Sequence, residues 1–252
     1  MTNKETHTKR KLMEKLMKTG FTCLAATATF PTHAQTADKV EAHVGADFSS
    51  GYIWRGEKLD GVSIQPSASI AYKGLSLTAW GTTGFSEDDT KEIDLTLGYE
   101  YKGFSLSVTD YWTDEGIGYF HYGARNTTHV FEAQIGYDFG VLSANWYTNF
   151  AGADGVTPSG KRAYSSYLEV NAPFKLGGLE WNASIGATPW GTDYYNCKGE
   201  DSAGANGFEV CDISIEASKE IRITPSFALP LFAKITWNPS TEGAYFVAGI
   251  SF

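Results

Sequence analysis

Cysteine is scarce in this chain, with three in 252 residues. No histidine lies near Cys197 or Cys211, and two thiolates do not complete a zinc shell. Histidine is scarce too. Beyond residue 34 only His43, His121 and His129 occur, and none stands in a nucleophile motif or a metal-ligand spacing, so no catalytic, metal or cofactor site is expected. Long hydrophobic runs are missing as well. Nothing beyond the amino-terminal region approaches the roughly 18 consecutive apolar residues of a membrane helix, which excludes a helical membrane protein. Three methionines beside 27 glycines and many aromatics fit neither a helical bundle nor a disordered tail. They fit short alternating strands with Gly-rich connections.

What is present begins with a leader. Lys4, Lys9, Arg10, Lys11, Lys15 and Lys18 precede a short apolar stretch from Gly20 to Phe30 and then Thr32-His33-Ala34, the layout of a secretory signal. The reading predicts cleavage after Ala34, whichever of Met1, Met13 or Met17 is the start, and a single domain over residues 35–252. Removing residues 1–34 takes away 6 of 20 basic and 2 of 29 acidic residues, leaving 14 against 27 and a net charge of −13. That balance argues against nucleic acid and anionic membrane surfaces as partners. Cys23 leaves with the leader, so Cys197 and Cys211 have only each other to pair with. An exported chain can keep such a disulfide, worth about 3 kcal/mol for a loop of this size; the alternative is two free buried thiols.

From Ala42 the sequence alternates. Ala42, Val44, Ala46, Phe48, Tyr52 and Trp54 share one phase, and Asp47, Ser49 and Arg55 the other. The period of two predicts a first strand running on through Arg55. The second carries Ile64, Ala68, Ile70 and Tyr72 and ends at Lys73-Gly74, a tight-turn signal repeated at Lys102-Gly103. Further strands follow through Leu75–Ala79, Ile93–Tyr101, Phe104–Trp112, Phe131–Phe139, Leu142–Phe150, Leu168–Phe174, Leu179–Ala187 and Ile213–Ala217. An eleventh is expected from Ile221 to Trp237, with Pro225 and Pro230 as irregularities, and the twelfth closes the chain. The predicted fold is all-β, a closed antiparallel transmembrane β-barrel of twelve strands. Ten or fourteen remain alternatives around Lys219–Thr224 and Pro230. Aromatics on the apolar phase sort by height into a turn-end group (Tyr72, Tyr99, Tyr101, Phe104, Tyr137, Phe139, Phe174, Trp181, Phe252) and a loop-end group (Tyr52, Trp54, Trp112, Phe150, Trp237). Mid-strand positions are aliphatic. A membrane sorts rings this way because amphipathic side chains favour its interfaces.

The last nine residues place Ala244, Phe246, Ala248, Ile250 and Phe252 on one face. A strand that alternates to a final aromatic resembles the closing strand of an outer-membrane barrel, whose terminal Phe resembles the signal read by the barrel-insertion machinery. The run Ser49-Ser50-Gly51-Tyr52-Ile53-Trp54-Arg55-Gly56, with Pro66, Tyr72 and Ala79-Trp80-Gly81 downstream, resembles the opening of the TorF-like porin family. Here Ser50-Gly51 stands where an acidic residue is usual, and the match covers roughly residues 44–84. The resemblance implies an outer-membrane barrel of a Gram-negative bacterium, embedded in lipid and carrying a porin label, and names no solute. It brings no catalytic residues.

The polar phase carries Asp47, Asp94, Glu100, Glu132, Asp138, Glu169, Glu180, Asp212 and Glu216 against Arg222 and Lys234. Acidic rings favour cations. Asp47, Glu132, Glu169 and Asp212, expected near mid-height, together with Arg55 and Lys234, are the candidate pore-lining residues. Arg55 is expected at the mouth, paired with Asp47 or a loop acid. The bland alternative is that these charges are paired struts plugging a narrow barrel. The functional expectation is passive diffusion of small solutes with a cation preference. A pore-less receptor or adhesin displaying the cysteine-bearing loop is the main alternative, and a barrel-embedded lipid hydrolase a weaker one.

Overall fold

In the computed structural model the described residues are 39–86, 89–195, 197, 204–225 and 227–252. The expected leader over residues 1–34 lies outside them. Period-two alternation builds fourteen strands: β1 (Glu41–Ser49), β2 (Tyr52–Trp54), β3 (Glu57–Asp60), β4 (Ser63–Tyr72), β5 (Leu75–Gly84), β6 (Lys91–Tyr101), β7 (Phe104–Thr113), β8 (His129–Asp138), β9 (Ser143–Gly152), β10 (Ser166–Leu176), β11 (Leu179–Thr188), β12 (Glu209–Thr224), β13 (Phe227–Asn238) and β14 (Gly243–Ser251). Twelve of them close an antiparallel barrel; β2 and β3 pair only with each other.

The outward phase carries exposed Leu75, Leu97, Leu106, Ile135, Ile235 and Phe246. So much exposed apolar surface belongs in lipid, where a closed barrel also satisfies every backbone group. Exposed Tyr72, Tyr101, Phe104, Phe139, Phe174 and Phe252 lie at the turn end, and Phe48, Phe150 and Trp237 at the loop end. Two turn-end corners are two-residue turns with both residues left-handed, Lys73-Gly74 (φ 51° and 87°) and Lys102-Gly103 (φ 49° and 85°). That geometry matches the twist of the strands it joins.

Two expectations need correction. The first strand does not run through Arg55: β1 ends at Ser49, and the chain leaves the wall as the β2–β3 hairpin, taking Tyr52 and Trp54 away from the lipid-facing belt. Arg55-Gly56 forms the hairpin tip, again with both residues left-handed (φ 48° and 82°), so a turn stands where the alternation suggested extended chain. The tenth and eleventh barrel strands are also divided differently, β12 continuing through Thr224 to a corner at Pro225. Proline has no N–H to donate and takes the corner, not the ladder. Pro230 is tolerated inside β13 because it sits opposite Glu220, beyond Leu231, where pairing with β14 stops.

Closure is made by β1 and β14, in the register Asp47 to Ser251 and Phe48 to Ile250. Backbone bonds from Ala46 N to Phe252 O (3.2 Å) and from Phe252 N to Ala46 O (3.0 Å) extend it to the last residue. Deleting Phe252 removes both. In lipid each orphaned backbone group costs several kcal/mol, so the heat-modifiable folded band in membranes is expected to fall sharply; normal folded yield would refute the closing role.

Candidate functional site

The interior at the loop end is filled by the β2–β3 hairpin. Its apolar side presses Ile53 onto Phe232 of β13 and Val247 of β14, with Tyr245 alongside. Room for the Phe232 ring exists because residue 249 is glycine; a Cβ there would meet the ring. Tyr52 packs on Trp80 of β5, their centroids 5.5 Å apart. The far strand of the hairpin is tied down where Thr90 N donates to Asp60 Oδ1 at 2.8 Å.

The tip crosses the lumen. On one wall, Arg55 Nη1 and Nη2 donate to the two oxygens of Glu132 on β8, at 2.6 and 2.8 Å, in a bidentate pair almost wholly removed from solvent. Tyr111 of β7 donates to the same carboxylate at 2.9 Å. Four rings surround the guanidinium: its carbon lies 4.4 Å from the Trp54 centroid, 4.5 Å from Tyr147, 4.7 Å from Tyr167 and 5.7 Å from Tyr195. A guanidinium over ring faces gains from their quadrupoles, most strongly where water is excluded. On the opposite wall Gly56 N donates to Asp212, and Gly56 O accepts from Asn238 Nδ2 at 3.2 Å. Gly56 also lies directly on the carbonyl of Cys211, where a Cβ would collide.

The long loop between β11 and β12 completes the plug. Tyr195 accepts from Arg55 Nη1 at 2.8 Å. Burial holds its phenol pKa well above the ordinary value, against the pull of Arg55, so it stays neutral. Tyr195, Cys197 and Ala205 form one buried cluster with Tyr167 and Cys211. The loop is anchored where Thr192 and Ala205 exchange backbone bonds and Ser165 Oγ meets Thr192 Oγ1 at 2.6 Å. Tyr167 fits because Gly186 opposite it has no side chain.

The cysteine expectation is corrected here. Cys197 and Cys211 do meet, but as free, buried thiols. The hydrogen bond between them, with burial behind it, raises the Cys197 pKa well above that of an ordinary thiol.

The other candidate residues spread around the same interior. Asp47 bonds to Ser251, Glu169 Oε1 accepts from Asn171 at 2.6 Å, and Lys234 stands across from Glu216. Asp47, Glu132, Glu169 and Asp212 lie two or three residues inside the loop-side ends of their strands, on the loop side of each midpoint. Arg55 pairs with Glu132, neither with Asp47 nor with a loop acid. Glu180 near the turns makes an exposed pair with Lys175 at 2.6 Å, which contributes at most about 1 kcal/mol.

Sequence reasoning missed the inward aromatics Tyr111, Tyr147 and Tyr167, and buried Glu92, which accepts from Tyr52. The signal was available: each occupies the polar phase of its strand, where an aromatic ring faces the lumen. Outside the lumen, His129 at the loop end of β8 is fully buried, with Nδ1 2.7 Å from Asp110 Oδ1, Nε2 2.5 Å from the Tyr119 carbonyl and Tyr122 stacked on it.

The fold and site define a transmembrane β-barrel whose lumen is constricted from within by an inserted hairpin. Solved structures of similar architecture include a NanC porin (8% identity over 82% of this chain and 96% of that one, TM-score 0.42). Others are Salmonella typhi OmpF in complex with daunomycin (11%, 85% and 97%, 0.37) and the COG4313 outer membrane channel from Pseudomonas putida F1 (10%, 88% and 98%, 0.40). Likeness at this level does not carry function. No family model matches the sequence, and no curated protein matches it.

Proposed function

We propose that this chain is a porin-like channel of a Gram-negative outer membrane, passing small hydrophilic solutes by diffusion, with cations favoured and the β2–β3 hairpin as its constriction. The observation that carries this reading is the polar inner face below the hairpin. Ser67, Thr78, Ser105, Gln134 and Asn145 are only partly buried on the inward phase, so the interior there is polar and not closely packed, as a water-filled passage requires. Gln134 bridges Ser105 and Asn145 at 2.8 and 3.0 Å, keeping these groups in fixed positions along the wall. The resemblance of residues 44–84 to the TorF-like porins supports the same reading.

The charge balance supports the sign. Glu132 is neutralised by Arg55, which Glu169 senses too; Glu169, Asp212 and Glu216 all sense Lys234, so Asp47, Glu169, Asp212 and Glu216 outnumber the cations near them. In planar bilayers under a salt gradient, the reversal potential is expected to favour cations. Replacing Asp47→Asn together with Glu169→Gln should move it toward zero without loss of folding. Anion preference would refute the assignment.

The plug itself favours a second reading, a pore-less receptor or adhesin barrel. A bilayer that stays sealed with folded protein inserted would decide for that one. The hydrolase reading has less support: the described neighbours of both His129 ring nitrogens are a carboxylate and a carbonyl, with no hydroxyl in a nucleophile's position.

A further inference from the structure

We propose that the Arg55 pocket is a binding site for guanidinium-bearing solutes, which Arg55 occupies in the closed state and which such a solute occupies when the hairpin withdraws. The proposal rests on the channel reading for its physiological sense, but the site itself is testable without conduction. Most of the pocket belongs to the wall and not to the hairpin. Glu132, Tyr111, Tyr147 and Tyr167 stand at inward positions on the neighbouring strands β8, β7, β9 and β10, with Tyr147 and Tyr167 directly cross-paired. When the hairpin leaves, Trp54 and Arg55 leave with it. The carboxylate and three phenol rings stay.

That remainder is a recognition site of defined chemistry. With the hairpin seated, Glu132 is almost wholly shielded from water by the Arg55 guanidinium and the rings around it; when the hairpin leaves, water and solute cations compete for that carboxylate, and the geometry of the pocket decides which cation wins. The shape of the demand is also set. Both Glu132 oxygens accept from a planar fork at 2.6 and 2.8 Å, while Tyr147 and Tyr167 lie within 4.7 Å of the guanidinium carbon. A guanidinium satisfies carboxylate and rings together. Potassium offers no directional donor, and tetramethylammonium has no N–H to give. The left-handed backbone at Arg55 (φ 48°), which non-glycine residues seldom adopt, is the way the chain delivers its own side chain into this pocket.

The test is chemical rescue of the Arg55→Ala barrel in detergent micelles, using guanidinium, potassium and tetramethylammonium chlorides at equal low concentrations. Guanidinium is expected to raise the thermal midpoint of the folded band at about tenfold lower concentration than either other cation, the scale of one charge-assisted hydrogen bond. Adding Glu132→Gln should erase that advantage. Identical curves in the three salts, or a guanidinium effect that survives Glu132→Gln, would overturn the site. Should Arg55→Ala not fold alone, the comparison moves to refolding yield from urea. Restoration by guanidinium then supports the site, and an equal absence of folded band in all three salts overturns it. Selective rescue beside a sealed wild-type bilayer retires the channel reading and keeps the site; conduction beside unselective rescue does the reverse.

Discussion

Replacing Glu132 by leucine should destabilise the barrel by about 3 to 5 kcal/mol, the usual cost of leaving one partner of a buried ion pair without the other. The side chains of Arg55 and Glu132 are 4% and 2% exposed, so water cannot take over the lost contacts. Tyr195 and the surrounding rings still hold the guanidinium, but neither supplies a negative charge. The double variant Arg55→Leu/Glu132→Leu removes both charges and should recover most of the loss, because apolar side chains of similar volume substitute well for a buried pair once neither ion remains. Equilibrium unfolding of the two single variants and the double in detergent measures this directly. If the two single losses simply add in the double, Arg55 and Glu132 are not coupled and the plug is held by something else.

The second large effect is on the lumen. Gly56→Val puts a β-branched residue at φ 82°, in the left-handed region, and drives its Cβ into the Cys211 carbonyl. The hairpin tip can no longer lie on the β12–β13 wall, and the bonds from Gly56 to Asp212 and Asn238 are lost with it. Because the twelve wall strands do not depend on β2 and β3 for pairing, strand content by circular dichroism should stay unchanged while single-channel conductance rises severalfold. Gly61→Val is the internal control. It lies just after the same hairpin, has no positive φ, and a Cβ there meets nothing within 4 Å, so it should leave conductance as it is. Equal conductance in both variants would show that the hairpin is not the constriction.

How much of this was legible beforehand differs between wall and interior. Ile64, Ile70, Leu97, Leu106 and Ile235 declared their orientation through spacing alone, since a strand turns every second side chain to the same face. The same rule misled at Tyr52 and Trp54. Their alternation with Ile53 continues the phase of β1, yet Arg55-Gly56 is the same kind of basic residue–glycine pair as Lys73-Gly74 and Lys102-Gly103 and adopts the same left-handed turn. Read as a third turn signal, it would have placed a hairpin between β1 and β4. What that hairpin would do was beyond the sequence, because a turn signal says where the chain reverses and not what it then packs against.

The closed wall follows from local chemistry: alternation, glycine-tipped corners and a final strand ending on Phe252 are each decided by residues within a few positions of one another. Twelve strands and an apolar outer face follow from that alone. The plug does not. Arg55 finds Glu132 77 residues away and Tyr195 140 residues away, and Gly56 meets Asn238 182 residues away. None of these partners is marked by spacing. Glu132 looks the same in sequence as Glu169, and only closure of the barrel, which brings β7 through β10 to face β12 and β13 across one narrow interior, decides which acid receives the buried guanidinium.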